Sequence, residues 1–209
     1  MDQLLYSNKT RGGRRHSSGF TLIEVLVATI VFLIGIVAAA AVVGSTLGNT
    51  ARSQYMTQAA TVATEKLEDL NRYAISDAHV VVPNGVSAGG LTSDVLNNVT
   101  TNGVTVPINY YDEVYFSPAA GALVETGSSL DAMGDVQYQT ITYTPDGQIQ
   151  TSAFSTTPPG GSGTIGFERR WIIEQDVPVV GVRRVTVLVT LLNQSVTPPV
   201  TFQMSMVRP

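Results

Sequence analysis

The chain has 209 residues, 44% hydrophobic and 13% charged, which suits one domain of ordinary size or a small domain with an appendage. Lys9, Arg11, Arg14 and Arg15 against Asp2 give the first nineteen residues +3 of a total of −4, so the side chains from Phe20 onward carry −7. That acidic balance argues against a nucleic-acid partner, whose phosphates need a basic face. The absence of cysteine excludes disulfides, thiolate metal sites and a lipid-modified cysteine anchor, and leaves the compartment open.

The basic leader runs into an almost wholly apolar stretch from Phe20 to Val43, a pattern to be read as targeting before it is read as structure. Val25 to Val43 carries no charge. At about 1.5 Å per residue in a helix this is long enough to cross a bilayer. An ordinary secretory signal would have a shorter apolar core, with Ala38 to Ala41 as its small-residue cleavage site. A plain signal anchor would keep the basic leader in the cytoplasm and place everything after Val43 outside. Neither accounts for Glu24, because a carboxylate near the centre of a membrane helix costs about 3 kcal/mol, although less at the edge, where it can reach the headgroups.

A third reading rests on Gly19-Phe20-Thr21-Leu22-Ile23-Glu24-Val25-Leu26-Val27-Ala28. This string resembles the cleavage and methylation motif of type IV prepilins and of the pseudopilins of secretion and DNA-uptake machines. The resemblance implies that a prepilin peptidase cuts after Gly19 on the cytoplasmic side and N-methylates the new terminus, Phe20. Ser17 and Ser18 stand where that family often has a basic residue. Glycine leaves the backbone at the cut unobstructed, and the cut frees an α-amine with a pKa near about 8. Glu24 lies four residues on, which puts both charges on one helical face. The two can neutralise each other within one chain, whereas the resemblance implies that Glu24 pairs with the amine of a neighbouring subunit during assembly.

Beyond the apolar stretch, Leu47, Ala51, Tyr55, Ala59, Ala63 and Leu67 recur every four residues, with Met56, Ala60, Leu70 and Ala74 on the adjacent stripe. Glu65, Lys66, Glu68, Asp69 and Arg72 are expected on the opposite, solvated face. The pattern predicts one helix from Phe20 to about Tyr73, with residues 1–19 as leader, 20–43 as transmembrane or filament-core helix and 44–74 as its amphipathic outer half. Gly35, Gly44 and Gly48 are either sites of close helix packing or points of local melting.

From Ile75 the period changes to two. Strands are predicted for Tyr110 to Phe116, Val136 to Tyr143, Gln148 to Phe154, Ile165 to Gln175, Val182 to Leu192 and Val200 to Val207. Thr144-Pro145-Asp146-Gly147 is expected to turn between two of them. Val200, Phe202, Met204 and Met206 share one side of the last strand, so the sheet has a face to bury and the outer half of the helix is its natural cover. Asn84 to Gly103 and Ser155 to Gly163 read as surface loops or insertions of this 75–209 head. The run Ala59 to Leu70, and the order Arg170-Trp171-Ile172-Ile173, Pro178, Gly181 to Thr190, resemble the minor pilins of the type IV pilus modification group.

Catalysis has little to work with, since His79 is the only histidine beyond the leader. Asp112-Glu113 and Asp131 with Asp135 offer oxygen ligands for calcium, against the plainer reading of solvated loop charges. Gly160 to Gly166 lacks the lysine and helix of a phosphate loop and reads as a linker. Tyr110, Tyr111, Tyr115 and Phe116 are read as core rather than as an adhesive surface. The expectation is a non-enzymatic α+β, pilin-like subunit without catalytic residues, metal or cofactor. Its implied partners are prepilin peptidase, other pilin or pseudopilin subunits, inner-membrane lipids and an assembly platform. The competing class is a membrane-anchored or secreted binding module.

Overall fold

The computed structural model describes residues 19–83, 85–119, 122–131, 133–143, 149–161, 163–192 and 198–209. The basic leader up to Ser18 and the expected turn at Thr144 to Gly147 lie outside the described residues. The chain divides after Gly48 into two compact units, each described by itself.

A single helix, α1 (Leu22–Arg72, 51 residues), contributes to both units. It passes unbroken through Gly35, Gly44 and Gly48. In the first unit every helical residue is exposed. The hydroxyls that interrupt its apolar surface are turned back on the helix: Thr29 Oγ1 donates to the Val25 carbonyl at 2.7 Å, and Ser45 Oγ and Thr46 Oγ1 to that of Val42 at 2.8 and 2.9 Å. Such back-bonding lets a polar side chain sit in an apolar helix without leaving a donor unmet.

The second unit holds the sheet. Its strands are β1 (Ser87–Gly89), β4 (Tyr111–Ala119), β5 (Ala122–Leu130), β6 (Val136–Tyr143), β7 (Ile149–Ser155), β8 (Ile165–Gln175), β9 (Arg183–Leu192) and β10 (Thr201–Arg208), with the separate hairpin β2 (Leu96–Thr101) and β3 (Val104–Asn109). All pairings are antiparallel, in the order β10-β9-β8-β4-β5-β6-β7, with β1 also on β8. The long helix with an antiparallel sheet is the α+β, pilin-like arrangement expected, and each of the six predicted strands is present within a few residues of its expected bounds.

The core forms where the last turns of α1 meet the centre of this sheet. Ala59, Val62, Ala63, Leu67 and Leu70 cluster with Phe167, Trp171 and Ile173 of β8 and with Val185, Val187 and Val189 of β9. Tyr110, just before β4, joins the same cluster, Tyr115 is buried and Phe116 packs against the core, as expected, whereas Tyr111 is half-buried and outside the cluster. On β10, Phe202, Met204 and Met206 stand opposite Val189, Val187 and Val185, so the predicted alternation faces the core side. Removing a large apolar side chain from water contributes about 1.5 to 3 kcal/mol, so this layer is the main source of the unit's stability.

Two arginines of the sheet then hold the chain where the helix stops. Arg208 donates from Nη1 to the Leu70 carbonyl at 3.1 Å and from Nη2 to that of Tyr73 at 2.9 Å. Arg183 donates to the Ile75 and Val80 carbonyls at 2.6 and 3.1 Å. Helix ends leave carbonyls unpaired, and cations there also complement the helix dipole.

The stretch from Asn84 to Gly103, expected as a surface loop or an insertion, contains strand. That stretch supplies β1 and β2, and β2 turns into β3 through Asn102 and Gly103 with φ of 53° and 78°. Two successive positive φ values are those of a type I′ hairpin turn. The expected linker at Gly160 to Gly166 is also partly strand, since Ile165 and Gly166 open β8 and Gly166 lies under the ring of Tyr115.

Candidate processing and assembly site

The first turn of α1 is set by Thr21. Its carbonyl accepts from Glu24 N at 3.1 Å and from Val25 N at 3.2 Å, and its side-chain oxygen accepts from Glu24 N at 3.3 Å. This is the geometry of an N-cap, in which a short oxygen-bearing side chain pairs one of the N–H groups that a helix start leaves unmet. With glutamate three residues after the cap, Thr21-Leu22-Ile23-Glu24 is a capping-box sequence of which the structure forms the threonine half.

Gly19, Phe20 and Glu24 are thereby brought to one short stretch at the helix start. Gly19 and Phe20 precede the helix, and Phe20 is 81% exposed. Nothing stands within 4 Å of the place where a Cβ on Gly19 would lie. Glu24 sits in the first turn and is the only charged residue between Phe20 and Ala51. After it the helix is long and apolar enough to cross a membrane.

A family model described as the prokaryotic N-terminal methylation motif matches residues 14–40, which span this geometry. The chain carries a prepilin-type N-terminal methylation motif. No curated protein and no solved structure matches the chain. The motif covers the helix start and part of the apolar first unit, and nothing in the match extends to the second unit.

The most strongly held charges of that unit lie between α1 and the sheet. Asp112 on β4 faces its register partner Arg169 on β8, which donates to both carboxylate oxygens at 2.6 and 2.9 Å. Lys66 approaches the same carboxylate at 3.0 Å and lies 4.1 Å from the centroid of the Trp171 ring. Burial pushes the Asp112 carboxyl up, but Arg169 and then Lys66 outweigh it and hold the group below the usual carboxylate range. Burial likewise depresses the Arg169 guanidinium, and Asp112 more than restores it. Lys66, expected on the solvated face of the helix, therefore points at the sheet, and Asp112, weighed as a calcium ligand or a solvated loop charge, is a buried strand residue with its oxygens taken.

Two of the remaining carboxylates weighed for calcium, Glu113 and Asp131, also have protein partners. Glu113 accepts from the hydroxyls of Tyr115 and Tyr138 at 2.7 and 3.0 Å. Burial, then this hydrogen bond, pushes the Tyr138 phenol up to about 12 and raises Tyr115 as well. Asp131 accepts from the backbone N–H of Met133 and Asp135 at 2.8 and 2.9 Å, which makes it a turn residue. Among the described residues no three of His, Asp and Glu gather as a metal would require.

Arg169 was missed from the sequence, although period two carried its signal. Phe167, Arg169, Trp171 and Ile173 form a buried row on one face of β8, and an arginine on that row needs a buried counter-charge.

Proposed function

We propose that the chain is a minor pilin or pseudopilin, a structural subunit cut by prepilin peptidase between Gly19 and Phe20, N-methylated at Phe20 and incorporated into, or priming, a type IV pilus or a type II secretion-like filament. The observation that carries this reading is the match of the methylation motif to residues 14–40, together with a helix that is largely apolar and fully exposed from Leu22 to Gly48. An uncovered apolar helix of this length has two natural environments, lipid before assembly and the helices of neighbouring subunits after it. On this reading residues 1–19 are the leader, 20–43 the membrane and filament-core segment, 44–74 the outer half of the helix and 75–209 the head held outside the inner membrane.

Glu24 is the assembly residue of this proposal. A carboxylate beside a lipid-facing helix favours a cationic partner, and the α-amine freed at Phe20 of a neighbour supplies one. Such a buried pair fixes register more than it adds stability, because desolvation offsets most of the attraction. The minor-subunit role rests on the resemblance of Ala59 to Leu70 and of the Arg170 to Thr190 stretch to pilus-modification pilins.

The test is N-terminal mass spectrometry on the full chain expressed with and without a prepilin peptidase. The expected product is a peptide beginning at N-methylated Phe20, seen only with the peptidase. An intact leader, or a cut near Ala40, would remove the filament reading.

A further inference from the structure

The second unit carries a cleft of about 630 Å³ between the C-terminal half of α1, β3 and the turn from β5 to β6. Small organic ligands are held in clefts of about 300 to 1,000 Å³ that are mostly apolar, with a few placed polar groups. Two of the lining residues carry a buried polar atom with no hydrogen-bond partner among the described residues: the indole Nε1 of Trp171, a donor, and Oδ1 of Asn109, an acceptor. Trp171 is 4% exposed. A donor or acceptor left unmet in a fold is destabilising, and native structures keep few without a water or a ligand to meet them. The cleft that both residues line is the space from which a partner can reach them.

The charges around the cleft narrow the chemistry of that partner. Asp69 is paired with Lys66 at 3.6 Å, Asp112 is shared by Arg169 and Lys66, and Asp131 accepts two backbone N–H groups. An anion would meet three carboxylates there, and a cation would have to compete with the lysine, the arginine and the N–H groups that already hold them. A neutral ligand that both donates and accepts is left. The flat stack of Tyr73 on His79, with ring centroids 4.4 Å apart, and the ring of Pro107 add planar, weakly polar walls of the kind that suit the C–H faces of a sugar ring.

An extended peptide also offers donors and acceptors, but β3 is ill-suited to take one. Tyr110 N donates to the Val95 carbonyl at 2.8 Å, so in the same register the even-numbered residues of β3 turn their backbone groups toward β2. Pro107 therefore turns its nitrogen, which bears no hydrogen, to the free edge of the hairpin and interrupts any further ladder there.

We propose that this cleft binds a neutral saccharide, one of whose hydroxyls accepts from Trp171 Nε1 and one of which donates to Asn109 Oδ1. The site lies wholly in the second unit and does not depend on a cut after Gly19.

Trp171 is the chain's single tryptophan, so its indole N–H gives one cross-peak in a proton–nitrogen spectrum and reports on the cleft directly. The full chain, in micelles of a detergent without a sugar headgroup, is titrated with maltotriose, cellotriose and chitotriose. The expected result is a saturable downfield movement of that peak with at least one of them, half-complete near about 1 mM. Asn109→Leu should weaken the binding at least about ten-fold while the denaturation midpoint holds or rises, because the substitution removes an unmet acceptor. Asn109→Asp, which keeps an oxygen in place, should retain binding. The titration of the parent chain is decisive whatever the variants do: a peak that moves with none of the three sugars leaves the two atoms to a bridging water only and overturns the proposal. An equal response to trigalacturonate would overturn the neutral class, and undiminished binding by a folded Asn109→Leu chain would place the sugar elsewhere.

Discussion

Asp112 holds two cations beside a layer built from aliphatic and aromatic side chains. Removing one member of a buried ionic group leaves the others uncompensated, so Asp112→Ala should lower the stability of the second unit by about 3 kcal/mol, read from the denaturation midpoint of the full chain in micelles. The acid side of the pH profile follows from the same residue. Its folded pKa is depressed, so its contribution is present above the ordinary aspartate value and is lost as pH falls through the lower folded value. Glu168, on the opposite face of β8, behaves in the reverse sense. Burial raises it from 4.5 to about 7, with Arg170 opposing and Asp94 and Glu113 adding to the rise. A carboxyl with a raised folded pKa stabilises fully below its unfolded value and loses that contribution as pH rises through the folded one. The second unit should therefore lose stability between about pH 4.5 and 7, and Glu168→Gln should flatten that slope; an unchanged slope would assign the effect elsewhere. The sequence announced neither group. A lone Asp-Glu pair reads as solvated until its register partner is known, and that partner, Arg169, lies 57 positions away.

At the level of elements, what was legible followed burial contrast. The strands β8, β9 and β10 alternate apolar and polar residues because one face meets α1, and the pattern gave their bounds closely. The strands β2 and β5 have no such contrast. In Leu96–Thr101 only Val99 is buried, and Ala122–Leu130 is rich in small and polar residues because it is paired on both edges, by β4 and β6, with partly exposed faces. The missed hairpin still had one readable sign, Asn102-Gly103, since that dipeptide suits two successive positive φ values better than any other. Pro107 on β3 is consistent with a two-stranded sheet, where a missing donor can face away from its partner. A second glycine gives a prediction of its own. Gly89 ends β1 with φ of 83°, and a Cβ there would press on the Trp171 carbonyl and the Tyr110 ring, both fixed in the core. Gly89→Ala should cost at least about 2 kcal/mol, combining left-handed strain with overlap, and should shift the emission of the chain's single tryptophan, Trp171.

At the level of the whole molecule, the two units present unlike surfaces. The second unit buries its own core, whereas the helical residues of the first are all exposed and apolar but for Glu24 and the self-bonded hydroxyls. Motif and composition made this legible from the sequence, because a membrane segment needs little beyond length and hydropathy to be recognised. The division of labour predicts what Glu24→Ala should do. Removing the carboxylate makes the helix more apolar, so membrane insertion should be retained. The Thr21 cap acts on the Glu24 backbone rather than on its side chain, so the helix start and the cut after Gly19 should survive as well. What is lost is the one anionic group that an incoming subunit's α-amine could meet in a low-dielectric core, and with it the preference for one axial register over its neighbours. Glu24→Ala should accordingly yield a processed, methylated, membrane-held subunit that enters filaments poorly. Fractionation of sheared filaments against membranes, with mass spectrometry of Phe20 in each fraction, measures both halves of the expectation. Normal incorporation of the variant would show that register is set elsewhere along the helix, with the small residues from Gly35 to Gly48 as the next positions to substitute.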